Sequence, residues 1–366
     1  MRLRRILQFA VFTAMLGAIA WASPLPDRVT DRGTYEATAA HMVVPDCSDL
    51  QCFRVLVPWL LGRLPGSSLL RWKAYAVISN AAAATLMFPL CIGLGLGPRA
   101  AALASMISAG GFGSLYTLHD PYTSDPLMFA LGPLLTDQLL AGRLAVAGVI
   151  GAAGVMAKEF AAVPLYTYAA YAAVERRWGV ALRAAIAGNF AFLLWVVLTV
   201  ALMLRYNYTW GHSGVGSANI AGGAALSLWA SGLTLRGIAT AMFNEFTMLY
   251  VLVPAGIAFA PQRLRLLAAV SLPIAALFCV VQQPDRALWN FHFLIVPFGA
   301  IVLARTPWWL AWPTVALFAV GNLRVGAQLP IAGVAHVAIG ASLLLAMACV
   351  VCAWRGAADG RQVAFA

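Results

Sequence analysis

Four short polar clusters interrupt an otherwise apolar sequence, and each carries side chains able to do chemistry. The first is Thr30-Asp31-Arg32-Gly33-Thr34-Tyr35-Glu36, just after the first apolar run. A partly desolvated carboxylate there, Asp31, could act as a general base on an acceptor hydroxyl. A hydrated loop with ordinary surface acids is the plainer alternative. The second is His119-Asp120-Pro121-Tyr122-Thr123-Ser124-Asp125-Pro126, a tight turn between apolar runs. Asp120 and Asp125 could face Asp31 and hold an acceptor or a divalent cation such as Mg or Mn. The Asp-Pro pairs are equally ordinary turn and helix-start chemistry, with Asp125 capping the next helix.

The third cluster is Lys158-Glu159, flanked by apolar residues on both sides. Neighbours on a helix do not face each other, so each should meet a partner on another helix, or the two mark the outer end of a short hairpin. Lys158 could reach a lipid phosphate or form an interhelical salt bridge. The fourth is Gln282-Gln283-Pro284-Asp285-Arg286, followed by Trp289, Asn290 and His292. Arg286 and His292 could grip a phosphate by charge-assisted hydrogen bonds, and Trp289 suits an interfacial anchor. Glu245, inside an apolar run, is a further candidate, with packing against a polar groove as its bland explanation. A charge at mid-membrane costs about 2.5–3.5 kcal/mol on insertion scales, so isolated charges in apolar surroundings mark places to look.

The surrounding sequence dictates how such groups are held. Of 366 residues, 62% are hydrophobic and 10% charged, with a mean hydropathy of +0.83, whereas a soluble domain carries about 25% charged residues. The apolar residues recur in blocks of roughly 15–23, the length that crosses about 30 Å of hydrocarbon as a helix. Helices satisfy their own backbone in lipid, and continuous rather than alternating blocks argue against a β-barrel. The expected fold is therefore an all-α polytopic transmembrane bundle of about 10–12 spans. It forms one integral membrane domain over residues 1–366, with an outer loop and interfacial helix at 24–66. Spans are expected near 6–23, 74–96, 100–117, 126–141, 144–157, 160–174, 184–204, 238–260, 266–281, 289–304, 307–322 and 331–353. Phe53–Leu64 is too short to span and suits the interface.

The net charge of +11 comes from basic residues scattered singly at block ends. Orientation and contact with anionic lipid explain it better than nucleic acid does. Arg2, Arg4 and Arg5 should hold the N-terminus in the cytoplasm. Asp27, Asp31, Glu36, Asp46, Asp49, Asp120, Asp125 and Asp285 then all map to the outer side. A cleaved signal peptide ending at Ala20-Trp21-Ala22 is the rival to an uncleaved first helix, and either leaves the following loop outside. Cys47 and Cys52 in that loop suit a short disulfide, with two free thiols as the alternative. Cys91, Cys279, Cys349 and Cys352 read as small packing residues.

The sequence has no Gly-Lys-Ser/Thr phosphate loop, no His-Glu-x-x-His, no Gly-x-Ser-x-Gly and no soluble nucleotide-binding domain. An enzyme built this way must draw an activated donor from the bilayer. Four elements carry a resemblance to the GT-C superfamily of membrane glycosyltransferases, in particular to bacterial mannosyltransferase-like members. They are Asp31-x-x-x-Tyr35 after the first helix, Arg54-Val55-Leu56-Val57-Pro58 opening an interfacial helix, the Asp120–Asp125 turn, and Lys158-Glu159 after a Gly-rich short span. Asp285-Arg286 also resembles the late-loop basic site of that superfamily. The resemblance implies inverting transfer of a sugar from a polyprenyl-phosphate donor on the outer face of a bacterial inner membrane. It implies Asp31 as base with Asp27 as understudy, and Asp120, Asp125 and Tyr35 orienting the acceptor or a metal. Lys158, Arg286, His292 and Arg54 would bind the donor phosphate. The rival from another class is a transporter or lipid flippase, which would need polar groups near the membrane midplane and paired halves.

Overall fold

The structure, a computed structural model, describes residues 2–26, 31–48, 50–208, 235–281 and 288–358. Among the described residues there are sixteen α-helices and no strand. In chain order they are α1 Arg2–Ala22, α2 Arg32–His41, α3 Leu56–Gly62, α4 Ser68–Gly93, α5 Pro98–Ala109 and α6 Phe112–His119. Next come α7 Asp125–Leu140, α8 Leu144–Gly154, α9 Val163–Val174, α10 Trp178–Tyr206 and α11 Leu235–Phe246. The last five are α12 Leu249–Phe259, α13 Gln262–Val281, α14 His292–Ala304, α15 Trp308–Val325 and α16 Ala332–Ala358.

Five helical stretches are long and apolar enough to cross a membrane: Leu3–Ala22, Ser68–Gly93, Pro98–His119, Trp178–Tyr206 and Ala332–Ala358. Others fall at expected spans but are shorter; the 11 residues of α8 rise only about 16 Å. The stretch expected at 238–260 is two helices, α11 and α12, parted at Thr247, whose φ of 41° breaks the helix. The stretch at 100–117 is likewise divided, at Gly110-Gly111 between α5 and α6. There the indole of Trp289 lies so close that a Cβ on Gly111 or Gly113 would sit 2.0 or 2.1 Å from it. Turn chemistry sets other boundaries, with proline opening α5, α7 and α9 and positive-φ glycines, Gly95 and Gly142, after α4 and α7.

Contacts between helix ends define two ends of the bundle. At one, Lys73 donates to the carbonyls of Ala20 and Ser23, closing α1 onto the start of α4. Ser23 Oγ reaches Ala327 O past the end of α15. At the other, Arg263 donates to Gly93 O at the end of α4, and Arg99 donates to Thr306 O after α14. Arg5 and Arg143 are the charged neighbours of Asp137 near the end of α7. Asp31, Glu36, Asp46, Asp120, Asp125 and Glu159 lie on segments of the first end, and Arg99, Arg143, Arg263 and Arg305 on segments of the second. Long helices α10 and α16 present Leu182, Phe190, Leu204, Val337 and Leu344 outward. In water such faces would be a liability; against lipid they are what a spanning helix presents.

Candidate functional site

The polar segment after α1 folds into a small cap on the first end of the bundle. Its first helix, α2, was not expected within a polar loop. Asp31 opens it, and an Arg32–Glu36 pair at 3.1 Å, one turn apart, supports it. A disulfide joins Cys47 to Cys52, and this loop packs on Leu202 and Tyr208 at the end of α10. Val44 N donates to Tyr208 Oη at 3.1 Å, and Asp46 N to Tyr206 O at 3.0 Å. Helix α3 then lies against α2 so closely that a Cβ on Gly62 would sit 1.9 Å from Ala39 O. Arg71 of α4 closes its far end by donating to the carbonyls of Leu61, Gly62 and Leu64.

This cap delivers Arg54 to the Lys158-Glu159 pair. Leu56 N donates to Met156 O at 3.1 Å, fixing the two segments in register. Arg54 donates to Glu159 through two of its nitrogens, Nη2 at 2.9 Å and Nε at 3.4 Å. Lys158 itself is extended, φ −166° and ψ 136°, and successive side chains of an extended chain point to opposite sides. Glu159 therefore turns to Arg54 while Lys158 turns to Asp125 at the start of α7, where the two form an ion pair with side chains only 3% exposed. The expectation of two different partners for the pair holds, through extended backbone rather than helical divergence.

An aromatic wall adjoins the helix start that carries Asp125. Tyr35 and Trp72 are buried with ring centroids 5.2 Å apart, and Trp72 also meets Tyr75 and Tyr122 at 5.8 and 5.4 Å. Tyr75 Oη donates to Ser124 O and accepts from Leu127 N, capping α7 beside Asp125. Tyr122 Oη donates to Glu36 at 3.1 Å, and the Arg32 guanidinium lies 5.1 Å over the Tyr122 ring.

The charges form one connected field. Burial pushes the Tyr35 hydroxyl above its usual range; Arg54 opposes that and Asp31 adds to it. Tyr35 is thus a neutral phenol that feels both the Arg54 guanidinium and the Asp31 side chain. Burial also opposes ionisation of Glu159 and Glu36, but their partners win: Arg54 and Lys158 hold Glu159 low, and Ser68, Arg32 and Tyr122 hold Glu36 low. Arg54 stays charged despite burial because the carboxylates of Glu159 and Asp125 neighbour it.

The structure thus brings together Asp31, Tyr35, Arg54, Asp125 and Lys158. Asp120 follows α6 at the edge of the same turn, partly exposed. His292, first in α14, is buried against Phe129, one turn into α7, and stacks on Trp289 at 5.3 Å. Its Nδ1 faces Trp289 O at 3.0 Å, so the neutral ring there would offer Nε2 only as an acceptor. Asp27 and Arg286 lie outside the described residues. Lys158 and Arg54, expected at the donor phosphate, each already hold a carboxylate. No group of three or more His, Cys, Asp or Glu side chains among the described residues is placed to hold a metal ion. Glu36, Trp72, Tyr75 and Tyr122 were missed as site residues; the Arg32-x-x-x-Glu36 spacing was the one available signal.

Fold and site together define a class: an all-helical chain with several helices able to span a membrane and a charged, aromatic-walled cluster gathered at one end. No protein-family model matches the sequence, and no curated protein matches it either.

Proposed function

We propose that the chain is a membrane glycosyltransferase of the GT-C type that moves a sugar from a polyprenyl-phosphate donor to an acceptor hydroxyl. The observation that carries this reading is the meeting of Asp31-x-x-x-Tyr35, Arg54, Asp125 and Lys158-Glu159, from four separate segments, at one end of an apolar helical bundle. A lipid-borne donor reaches such a place laterally, without a soluble binding domain. Asp31 takes the acceptor proton as the hydroxyl oxygen attacks the anomeric carbon. The bond from that carbon to the phosphate oxygen breaks, and the configuration inverts. The polyprenyl phosphate leaves as an anion, stabilised by Arg286 and by the field of Arg54 and Lys158. Tyr35 holds Asp31 against Arg54, while Asp120 orients the acceptor or a divalent cation. In this reading the first end of the bundle faces the periplasm of a bacterial inner membrane, and the N-terminus is cytoplasmic.

Mass spectrometry of envelope glycans and lipid-linked sugars tests it in cells with and without the gene. Loss of the gene should remove one glycan and raise its lipid-linked donor, and Asp31→Asn should fail to restore either. Unchanged glycans and unchanged donor pools would sink the proposal.

A further inference from the structure

Away from the charged cluster, consecutive helices α12 and α13 scarcely touch: α12 packs on α14, while α13 packs chiefly on α9 and only lightly on α14. Helices α12, α13 and α14 each carry an interior proline, Pro254, Pro273 and Pro297, which removes a helical hydrogen bond and favours a kink. Among these helices lies an open groove of about 750 Å³ walled by side chains such as Phe246, Val253, Ile257, Leu272, Ile295 and Phe298. Among the described residues Arg265 is the one charged residue lining it, and it enters no ion pair with any of them. It sits in the first turn of α13, at the arginine-bearing second end of the bundle.

We infer that this groove binds one acyl chain of an anionic phospholipid, with Arg265 paired to the headgroup phosphate. Two observations fix the occupant. From Arg265 to Ala275 the lining of α13 rises about 15 Å, half of the roughly 30 Å hydrocarbon core, so the groove matches a chain entering from one leaflet. The cation stands at the leaflet-surface end of that run. Two other cations on segments of that end are engaged elsewhere, Arg263 on Gly93 O and Arg305 over the Phe259 ring at 4.5 Å, which leaves Arg265 for the headgroup. One such cation at a membrane surface is worth ~1 kcal/mol, a preference of about fivefold for anionic over zwitterionic lipid. The inference stands independently of glycosyl transfer.

The test uses the full chain in nanodiscs of equal phosphatidylglycerol and phosphatidylcholine, released into mild detergent, with retained lipid read by native mass spectrometry. The wild type should retain phosphatidylglycerol about fivefold over phosphatidylcholine. Arg265→Gln should lose that preference but still retain lipid. Ala268→Trp, which fills the groove, should retain neither, and Leu272→Trp on its exposed rim serves if that variant does not fold. A wild type without preference, an Arg265→Gln variant that keeps it, or a retained isoprenoid phosphate in place of phospholipid would overturn the inference.

Discussion

Replacing Lys158 by Met probes the most deeply buried charge pair in the cluster. Both side chains of the Lys158–Asp125 pair are 3% exposed, so the variant takes the paired cation from a carboxylate that water cannot reach. Removing one partner of such a pair costs about 3–5 kcal/mol. Asp125→Asn takes the paired carboxylate from the ammonium instead and should cost a similar amount. The double variant removes both charges, and replacing a whole buried pair is often close to neutral. It should therefore be more stable than either single variant, with a coupling of at least ~2 kcal/mol. The Arg54–Glu159 pair is the internal control: its side chains are 8% and 19% exposed, so water screens it more and Glu159→Gln should cost less. Unfolding in detergent, followed by the fluorescence of the 12 tryptophans, gives all these values. The reasoning is refuted if Lys158→Met lies within ~0.5 kcal/mol of wild type or if the double variant is worse than the sum of the singles.

Three further outcomes follow from the cap. Gly62→Ala should separate α2 from α3, because its Cβ would collide with backbone at Ala39; the expected cost is about 1–3 kcal/mol, visible as faster proteolysis between residues 31 and 62. Cys47→Ser or a reductant should loosen the loop docked on Tyr206 and Tyr208, with faster amide exchange at Val44 and Asp46 and a loss of about 2 kcal/mol; unchanged exchange would show that packing alone holds it. Glu36 ionises below its ordinary value of 4.5, since its hydrogen bonds outweigh burial. A carboxyl depressed in the folded state stabilises it above the unfolded value, and that contribution is lost as pH falls through the lower folded value. Melting temperature should thus fall less steeply below pH ~4.5 in Glu36→Gln than in wild type, and parallel curves would contradict this.

Helix positions were legible because continuous apolar blocks leave the backbone no alternative in lipid. The broken helices were less so. Thr247 gives no composition signal for a helix break, and the neighbour that crowds Gly111 at the other break, Trp289, lies far along the chain. The pairing of Lys158 and Glu159 with separate partners was readable from their adjacency, but the partners were not. Asp125 and Arg54 lie 33 and 105 residues away, and what joins them is an extended residue and a register bond at Leu56. The cysteine spacing suggested the disulfide. Of the aromatic wall only Tyr35 and Tyr122 fell within the polar clusters; Trp72 and Tyr75 are unremarkable among 12 tryptophans and 10 tyrosines. Helix α2 was hidden by its polarity, although Arg32 and Glu36 stand one turn apart as a helical pair would.

The most direct measurement is sugar transfer by the purified chain, in liposomes loaded with radiolabelled polyprenyl-phosphate hexose and a hydroxyl acceptor pool extracted from envelope. The expected result is label appearing in acceptor with wild-type protein and falling at least a hundredfold with folded Asp31→Asn, the scale of general-base catalysis being about 10²–10⁴. Full transfer by folded Asp31→Asn, or none by folded wild type, would contradict it.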